Sequence, residues 1–447
     1  MREFTVESER LAEPSRSGRE FLALQSEDVV PITWQDSYDG AAPATRETLD
    51  ARIDELRTDL VELSHQLFHN PELGFKEYES VAAVADLLRR HGYEPTVGVH
   101  GLETALRCEA GDEDADGPTI AIMAEYDALP GIGHACGHNV ICASGVGAFL
   151  VAAPAVAKAG ARLVLLGTPA EENGTGKEIM VQHGALEGID AAMMVHPYAG
   201  VSRTSTTDYL GLRELYVTFT GQSTHASASP FMGLNALDAA VQVYNGVSML
   251  RQQLLFTDRI HAVILEGGSA PNVIPERTKM HLYVRSATTT GLTELSDRVE
   301  AVIVAAAHAT GCEATVRWDD TPPCLPVRSN DIMAERFALH YSAAGQEIMG
   351  PQTIVSGAGS TDMGNVSVRV PSIHPMVAIA PGGVSLHTAH FADFAAEERA
   401  DEVLAASARA LAGTAADLVE DADLLAAVRQ EFEDAGGVPT EDLEALL

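Results

Sequence analysis

Three short, mostly apolar runs constrain this chain more than any other feature of it. TIAIMA (Thr119–Ala124), RLVLLG (Arg162–Gly167) and AAMMV (Ala191–Val195) have strand length, lack polar alternation, and are separated by segments of helical pattern. Such runs read as strands buried on both faces, and their alternation with helices predicts an α/β domain with a parallel or mixed sheet. The residues just after each run matter as much. The first opens into EYD (Glu125–Asp127), the second into TPAEE with Glu171 and Glu172, and the third into His196. A fourth run, VAIA (Val377–Ala380), precedes HTAHF with His387 and His390. In an open α/β sheet the carboxyl ends of the strands border the crevice where ligands bind. All four polar groups are therefore delivered to one structural address.

Around these strands the chain divides by pattern. Leu49, Ile53, Leu56, Leu60, Leu63 and Leu67 recur at helical spacing from Thr45 until Asn70-Pro71 ends the helix. A second helix is expected over about Val81–His91, and CASGVGAFLVAAPAVAK (Cys142–Lys158) is helical in pattern. The character changes near Gly211. ELYVTFTG, HAVILEGG, TKMHLYVRS and EATVRWD read as strands, interleaved with two amphipathic helices, NALDAAVQVYNGVSMLRQQL and LTELSDRVEAVIVAAAHAT. After TPPCLP the first pattern resumes with a helix, strands TIVSG (Thr353–Gly357) and VAIA, and a last helix over about Ala395–Val419. The expected organisation is an extension over 1–40, a main domain over 41–210 and 323–447, and an α+β unit inserted over 211–322.

Charge excludes some partners. With 64 acids against 29 bases the formal net charge is −35, which repels phosphate backbones and acidic lipid. Neither nucleic acid nor a membrane is an expected partner. No stretch approaches the roughly 20 uninterrupted apolar residues of a membrane span, and the charged opening MREFTVESERLAEPSRSGRE does not read as a signal peptide. Cys108, Cys136, Cys142, Cys312 and Cys324 are odd in number and irregularly spaced, against a disulfide framework. A reduced, cytoplasmic protein is expected.

The stretch EYDALPGIGHACGHN places a thiol and an imidazole, Cys136 and His138, two residues apart among glycines. Pooled with Glu125, Asp127, Glu171, Glu172, His196 and His387, they make a mixed thiolate, imidazole and carboxylate set. Zinc, manganese and cobalt accept such ligands. The set is too rich for one structural zinc, whereas two adjacent ions would use it fully and suit hydrolysis. Each residue alone has an ordinary explanation: a core histidine, a small buried thiol, acids at a helix N-terminus. The shared address is what argues for function. GTPAEENGTGK lacks the glycine–lysine spacing of a phosphate loop, and its carboxylates would repel phosphate. A nucleophilic Cys136 would leave the extra acids and imidazoles without a purpose.

The ordered motifs HNPELGFKE (His69–Glu77), EYDALPGIGHACGHN, GTPAEENGTGK, GQSTHASASPFMGLNALDA, GGSAPNVIPERTKMHLYVR, GSTDMGNVS and HTAHF together resemble the aminoacylase/carboxypeptidase superfamily of dinuclear metallopeptidases. More narrowly they are similar to its amidohydrolase branch of auxin-conjugate hydrolases, aminobenzoyl-glutamate hydrolase and β-alanyl-lysine-type dipeptidases. The resemblance spans about Glu47 to Gly413 and leaves the N-terminal extension outside. It implies a mixed-sheet catalytic domain with an inserted lid or dimerisation domain, and a homodimer formed through that insert. The implied metal ligands are Cys136, His138, Glu172, His196 and His387, with Cys136 where the wider superfamily has a bridging aspartate. His138 and His196 would serve one ion, Glu172 and His387 the other. His390 is the weaker alternative to His387. Glu171 is implied as general base to a metal-bound hydroxide, and Asp127 as the acid orienting a ligand. His225 would polarise the scissile carbonyl from a neighbouring subunit, and Asn272 and Arg285 would hold a substrate carboxylate. Glu125 departs from the histidine of the wider superfamily, and its role stays open.

The implied activity is hydrolysis of the amide in an N-acyl-amino acid or dipeptide-like small molecule. An aminobenzoyl-glutamate-type or xenobiotic amide hydrolase, or a non-enzymatic metal-binding regulatory subunit, are the rival readings.

Overall fold

The computed structural model describes residues 37–447 apart from 113–114, 206–208 and 352–358. The strand expected at Thr353–Gly357 and most of the N-terminal extension lie outside the described residues. In chain order the strands are β1 (Thr96–Val97), β2 (Leu106–Ala110), β3 (Thr119–Glu125), β4 (Arg162–Thr168), β5 (Ala191–Met193), β6 (His196–Ala199), β7 (Gly211–Thr220), β8 (Arg259–Glu266), β9 (Arg277–Ser286), β10 (Glu313–Trp318), β11 (Ser372–Ile373) and β12 (Met376–Ala380).

The first three apolar runs become β3, β4 and β5 at the centre of a six-stranded sheet ordered β1-β2-β4-β3-β5-β11. β3 pairs in parallel with β4 and β5, and β5 with β11, while β2 runs antiparallel to β4 and β1. The sheet is mixed. Every residue of β3 is buried, as a strand covered on both faces requires.

The helix His138–Lys158 packs against this sheet and is flanked by the helices Pro43–His69 and Glu398–Glu420. Gly145 permits the close approach: a Cβ there would lie 2.6 Å from the Met123 carbonyl oxygen. By length and composition this helix is apolar enough to cross a membrane, contrary to the reading of the sequence that no segment comes near it. Its apolarity has another cause, since nearly all its residues are buried in the domain core.

Three local outcomes differ from the sequence pattern. The central helix begins at His138 rather than near Cys142, because Gly137, at φ 79°, turns the chain into it. β5 ends at Met193, and His196 instead opens β6, which pairs in parallel with β12 as a separate two-stranded sheet. Pro375, between β11 and β12, lacks the amide that would complete the ladder there, while the His196 amide donates to its carbonyl at 2.8 Å. Beyond Glu420 two further helices, Ala422–Asp434 and Thr440–Leu446, extend the chain past the Val419 end expected from the sequence. Asp421 caps the first of them by accepting from the Leu424 amide at 3.0 Å.

Between Gly211 and Trp318 the chain forms a four-stranded antiparallel sheet, β10-β7-β9-β8, with the helices Ala236–Leu250 and Thr289–Thr310 packed on it. It has its own core, in which Leu215, Val217 and Phe219 of β7 and Met280, Leu282 and Val284 of β9 face Ala239, Val243, Val299 and Ile303. β9 alternates buried and half-buried residues along its length, the period of a strand covered on one face.

The two chain segments of the main domain are tied together at a buried carboxylate. Asp417 on Glu398–Glu420 accepts from the Ala41 amide (2.7 Å) and the Arg336 Nε (2.9 Å), and meets His340 Nε2 at 2.7 Å. Burial pushes Asp417 up, but the His340 hydrogen bond, Ala41 and Arg336 outweigh it and hold the carboxyl below the usual range. Its contribution to stability is therefore full above the unfolded aspartate pKa and fades as pH falls through the lower, folded value. Asp417→Ala should cost about 3–5 kcal/mol, because it removes one partner of a buried ion pair and the acceptor of the Ala41 amide. Urea denaturation at pH 7 checks this, and the gap from wild type should shrink as the pH is taken down through the acid range.

Candidate metal centre and active site

Four strand ends build one pocket of titratable groups. Glu125 is the last residue of β3, and Asp127 follows two positions later, both almost fully buried. Gly137 then brings Cys136 and His138 against β6: a Cβ at Gly137 would sit 2.7 Å from Pro197 Cβ. After β4, Ala170 (φ 60°) and Thr175 (φ 52°) take the left-handed conformation on either side of the short helix Glu171–Gly174. Strain at two non-glycine positions marks a segment whose geometry is fixed by its surroundings. His387 also has a positive φ, 59°, and its amide donates to the Ala135 carbonyl at 2.9 Å, pinning the HTAHF loop beside the cysteine.

Cys136 is the pivot. Its Sγ lies 3.3 Å from His196 Nε2 and 3.3 Å from His387 Nε2. Cys136, His138 and His196 place donor atoms within 4.8 Å of one another, and so do Cys136, Glu172 and His387. Each imidazole is turned by its other nitrogen. His138 Nδ1 faces Asp127 Oδ1 at 3.1 Å, and His196 Nδ1 faces the Pro197 carbonyl at 2.7 Å, so both rings offer Nε2 to the pocket. The second Asp127 oxygen accepts from the Glu172 amide at 3.0 Å, so one carboxylate orients two candidate ligands.

These side chains fit a pair of divalent cations. Buried His138 Nε2 and Glu172 Oε1 have no hydrogen-bond partner among the described residues, although they lie 3.9 Å apart in a pocket of lone pairs. Buried polar atoms left unpaired are costly, and a shared cation satisfies both. Burial pushes the Cys136 thiol up, so a cation is what would hold it as thiolate there. Glu171, part-exposed at the mouth, is pushed well above the usual glutamate range by desolvation first and then by Glu125, Glu172 and Asp362. Positive charge placed beside it reverses that shift.

Further polar residues enter the pocket that the sequence did not single out. Glu125 is ion-paired to Lys177, and Lys177 in turn to Asp362, all three with almost no exposure. Desolvation would lower the lysine, but Asp362 and Glu125 overcome it and keep the ammonium charged. Lys177 and Asp362 stand inside GTPAEENGTGK and GSTDMGNVS, yet nothing in those motifs pairs residues 185 positions apart. His374 packs edge-on against the His196 and Tyr209 rings, each at 5.4 Å, and neither of its nitrogens is hydrogen-bonded among the described residues. Burial, then His196, lowers it to about 3, so this imidazole is neutral.

The candidates in the inserted unit are not brought into this pocket together. His225 is exposed, its Nδ1 accepts from the Ser227 and Ala228 amides, and its neighbour across an isolated bridge is Val273, next to Asn272. Arg285 lies at the other end of β9, donating to Ser360 Oγ at 2.9 Å. From Arg277 to Arg285 the strand runs about 26 Å at its normal rise. Within one chain, Asn272 and Arg285 are therefore too far apart to hold one carboxylate, which the sequence reading had them share.

The sequence profile of peptidase family M20/M25/M40 matches residues 121–417. Over 400 residues the chain is 37% identical to the Xaa-Arg dipeptidase of Mus musculus, covering 85% of this chain and 90% of that one. It is 30% identical over 295 residues to a subunit of the p-aminobenzoyl-glutamate hydrolase of Escherichia coli K12, covering 61% of this chain and 60% of that one. Among solved structures, the YXEP protein of Bacillus subtilis, described as a dinuclear metal binding peptidase, superposes with TM-score 0.65 at 21% identity over 82% of this chain and 99% of that one.

Asp127→Asn should loosen the pocket without emptying it, lowering metal affinity about 10–100-fold because His138 and Glu172 lose their common anchor. Chelator competition measures this. Cys136→Ala, which removes the donor common to both triads, should reduce metal content on both sides, read by elemental analysis.

Proposed function

Because the chain belongs to peptidase family M20/M25/M40 and is thereby a hydrolase of peptide or amide bonds, we propose that it is a dinuclear-metal dipeptidase acting on short peptides or N-acyl-amino acids. The observation that carries this reading is Cys136, whose sulfur belongs to two triads of donor atoms at once. Cys136, His138 and His196 would hold one divalent ion, and Cys136, Glu172 and His387 the other. Manganese, zinc and cobalt all suit the donor set. When bound, the ions polarise a carbonyl and lower the pKa of water.

The remaining work falls to side chains. Glu171 takes the proton of the attacking water and passes it to the leaving amine, a task that suits a carboxyl part-exposed beside His138 and Glu172. Asp127 keeps His138 in the tautomer that offers Nε2. Likeness to the Xaa-Arg dipeptidase supports a dipeptide with a basic C-terminal residue, and the net charge of −35 favours approach of a cationic substrate.

His225 and Asn272 act in the site of a second copy, with Arg285 serving its own. Two features of the insert support such pairing. β8 is an edge strand, and Phe231, Met249, Leu255 and Phe256 stand 62–82% exposed around that unit, with Val263 on β8 itself about half exposed.

Two experiments test the reading. Glu171→Gln should lower kcat by about 10²–10⁴-fold while metal content stays at wild-type level, assayed on Xaa-Arg and Xaa-Lys dipeptides, N-acyl-amino acids and aminobenzoyl-glutamate. Wild-type turnover in that variant removes the general-base assignment. Separately, His225→Ala and Glu171→Gln chains, each inactive alone, should regain activity when refolded together, since each mixed dimer then contains one intact site. Continued inactivity of mixed dimers, verified by size, removes the shared-site assignment.

A further inference from the structure

The segment that carries Glu171 is wrapped tightly around one residue. The Ala170 carbonyl accepts from both the Gly174 amide (3.0 Å) and the Gly176 amide (3.2 Å). A Cβ at Gly176 would lie 1.8 Å from the Pro169 oxygen, so the chain returns to its own start before it reaches Lys177. The way in and the way out are both left-handed, at Ala170 and Thr175. A segment this strained keeps its shape only if both ends are anchored. The entry is anchored by β4 and by Glu77, which accepts from the Ala170 amide at 2.9 Å.

The exit is anchored by Lys177. Its backbone amide donates to Asp362 Oδ2 at 2.9 Å, and its ammonium bridges Asp362 Oδ1 and Glu125 Oε1. The next residue repeats the attachment, with Glu178 accepting from Asn365 Nδ2 at 2.8 Å and pairing with Arg369. Glu125, Glu171 and Asp362 place carboxylate oxygens within 4.8 Å of one another, with the Lys177 ammonium bound to two of the three. A buried ammonium on either side of which acids converge holds together what would otherwise repel.

We propose that Lys177, clamped between Glu125 and Asp362, is a positioning residue for Glu171: it supplies the fixed positive charge beside the proton-transferring carboxylate and anchors the strained turn that aims it. The same arrangement gives Glu125 its role as the acid that seats Lys177, with its second oxygen 3.5 Å from His138 Nε2. The inference rests on Glu171 being the general base, and the experiment separates the two.

Lys177→Met alone would bury two uncompensated acids, so it is paired with the near-isosteric neutral variant Glu125→Gln/Lys177→Met/Asp362→Asn. Replacing a buried charge network by neutral groups of like volume is tolerated by many folds. Both variants are purified with metal, and metal content, kcat and KM are measured on the best dipeptide substrate. A positioning role lowers kcat about 10- to 100-fold in the neutral triple variant, comparable to losing a group that orients a catalytic residue, with KM and metal stoichiometry near wild type. In a Glu171→Gln background the same triple change should add no further loss, because the residue it serves is gone. Recovery of wild-type kcat in the neutral triple variant would falsify the proposal and leave Lys177 a structural tie. A full additional loss in the Glu171→Gln background overturns it as well, while leaving the general base in place. If Glu171→Gln itself turns over normally, it is the general-base reading that falls.

Discussion

Five carboxylates crowd the carboxyl edge of β3 and β4: Glu125, Asp127, Glu171, Glu172 and Asp362. Like charges at such spacing fold together only where cations or protons neutralise them. The chain supplies one itself, the Lys177 ammonium between Glu125 and Asp362. It leaves unbalanced the space between Cys136, His138, His196, Glu172 and His387, where His138 Nε2 and Glu172 Oε1 have no hydrogen-bond partner among the described residues. The electrostatic deficit of the pocket and its capacity for divalent cations are one property. This is why a catalytic reading and a stability reading of the same residues do not compete.

Three of the six described non-glycine residues with positive φ lie at this edge. Ala170, Thr175 and His387 occupy the left-handed region without being glycine, and all three flank residues that point into the pocket. Regular strand or helix ends would aim Glu171, Glu172 and His387 elsewhere. Glycine appears where approach, rather than aim, is needed: at Gly137 against Pro197, at Gly145 against β3, and at Gly176 against Pro169.

The inserted unit answers a different constraint. β9 is long enough to keep the His225–Val273 bridge and the Arg285–Ser360 hydrogen bond toward opposite ends of the unit. A substrate amide and its carboxylate span only a few bonds. β8 is an edge strand of the insert's sheet and carries exposed apolar neighbours.

Much of this was legible in the sequence because it is local. Buried strands declare themselves as uninterrupted apolar runs, so β3, β4, β5 and the insert's alternating strands could be placed, and residues just beyond a strand end could be assigned to the crevice. The helices after Glu420 were overlooked although their capping aspartate and amphipathic spacing were present. The apolar helix His138–Lys158 shows the limit of composition, since burial in a core and burial in a membrane demand the same residues. Pairing across the chain was not legible at all. Nothing in Glu125, Lys177 or Asp362 taken alone names its partners, because a charge carries no record of which opposite charge will be desolvated beside it. Nor does sequence order tell that Arg285 sits at the far end of β9 from the loop that carries Asn272 while Cys136 and His387 touch. The sequence by itself determined which segments are buried and which polar groups reach the strand ends, since both follow from short-range periodicity. Only the tertiary structure decided which of those groups face one another, because that depends on how strands order in the sheet and on which charges end up sharing the same dry space.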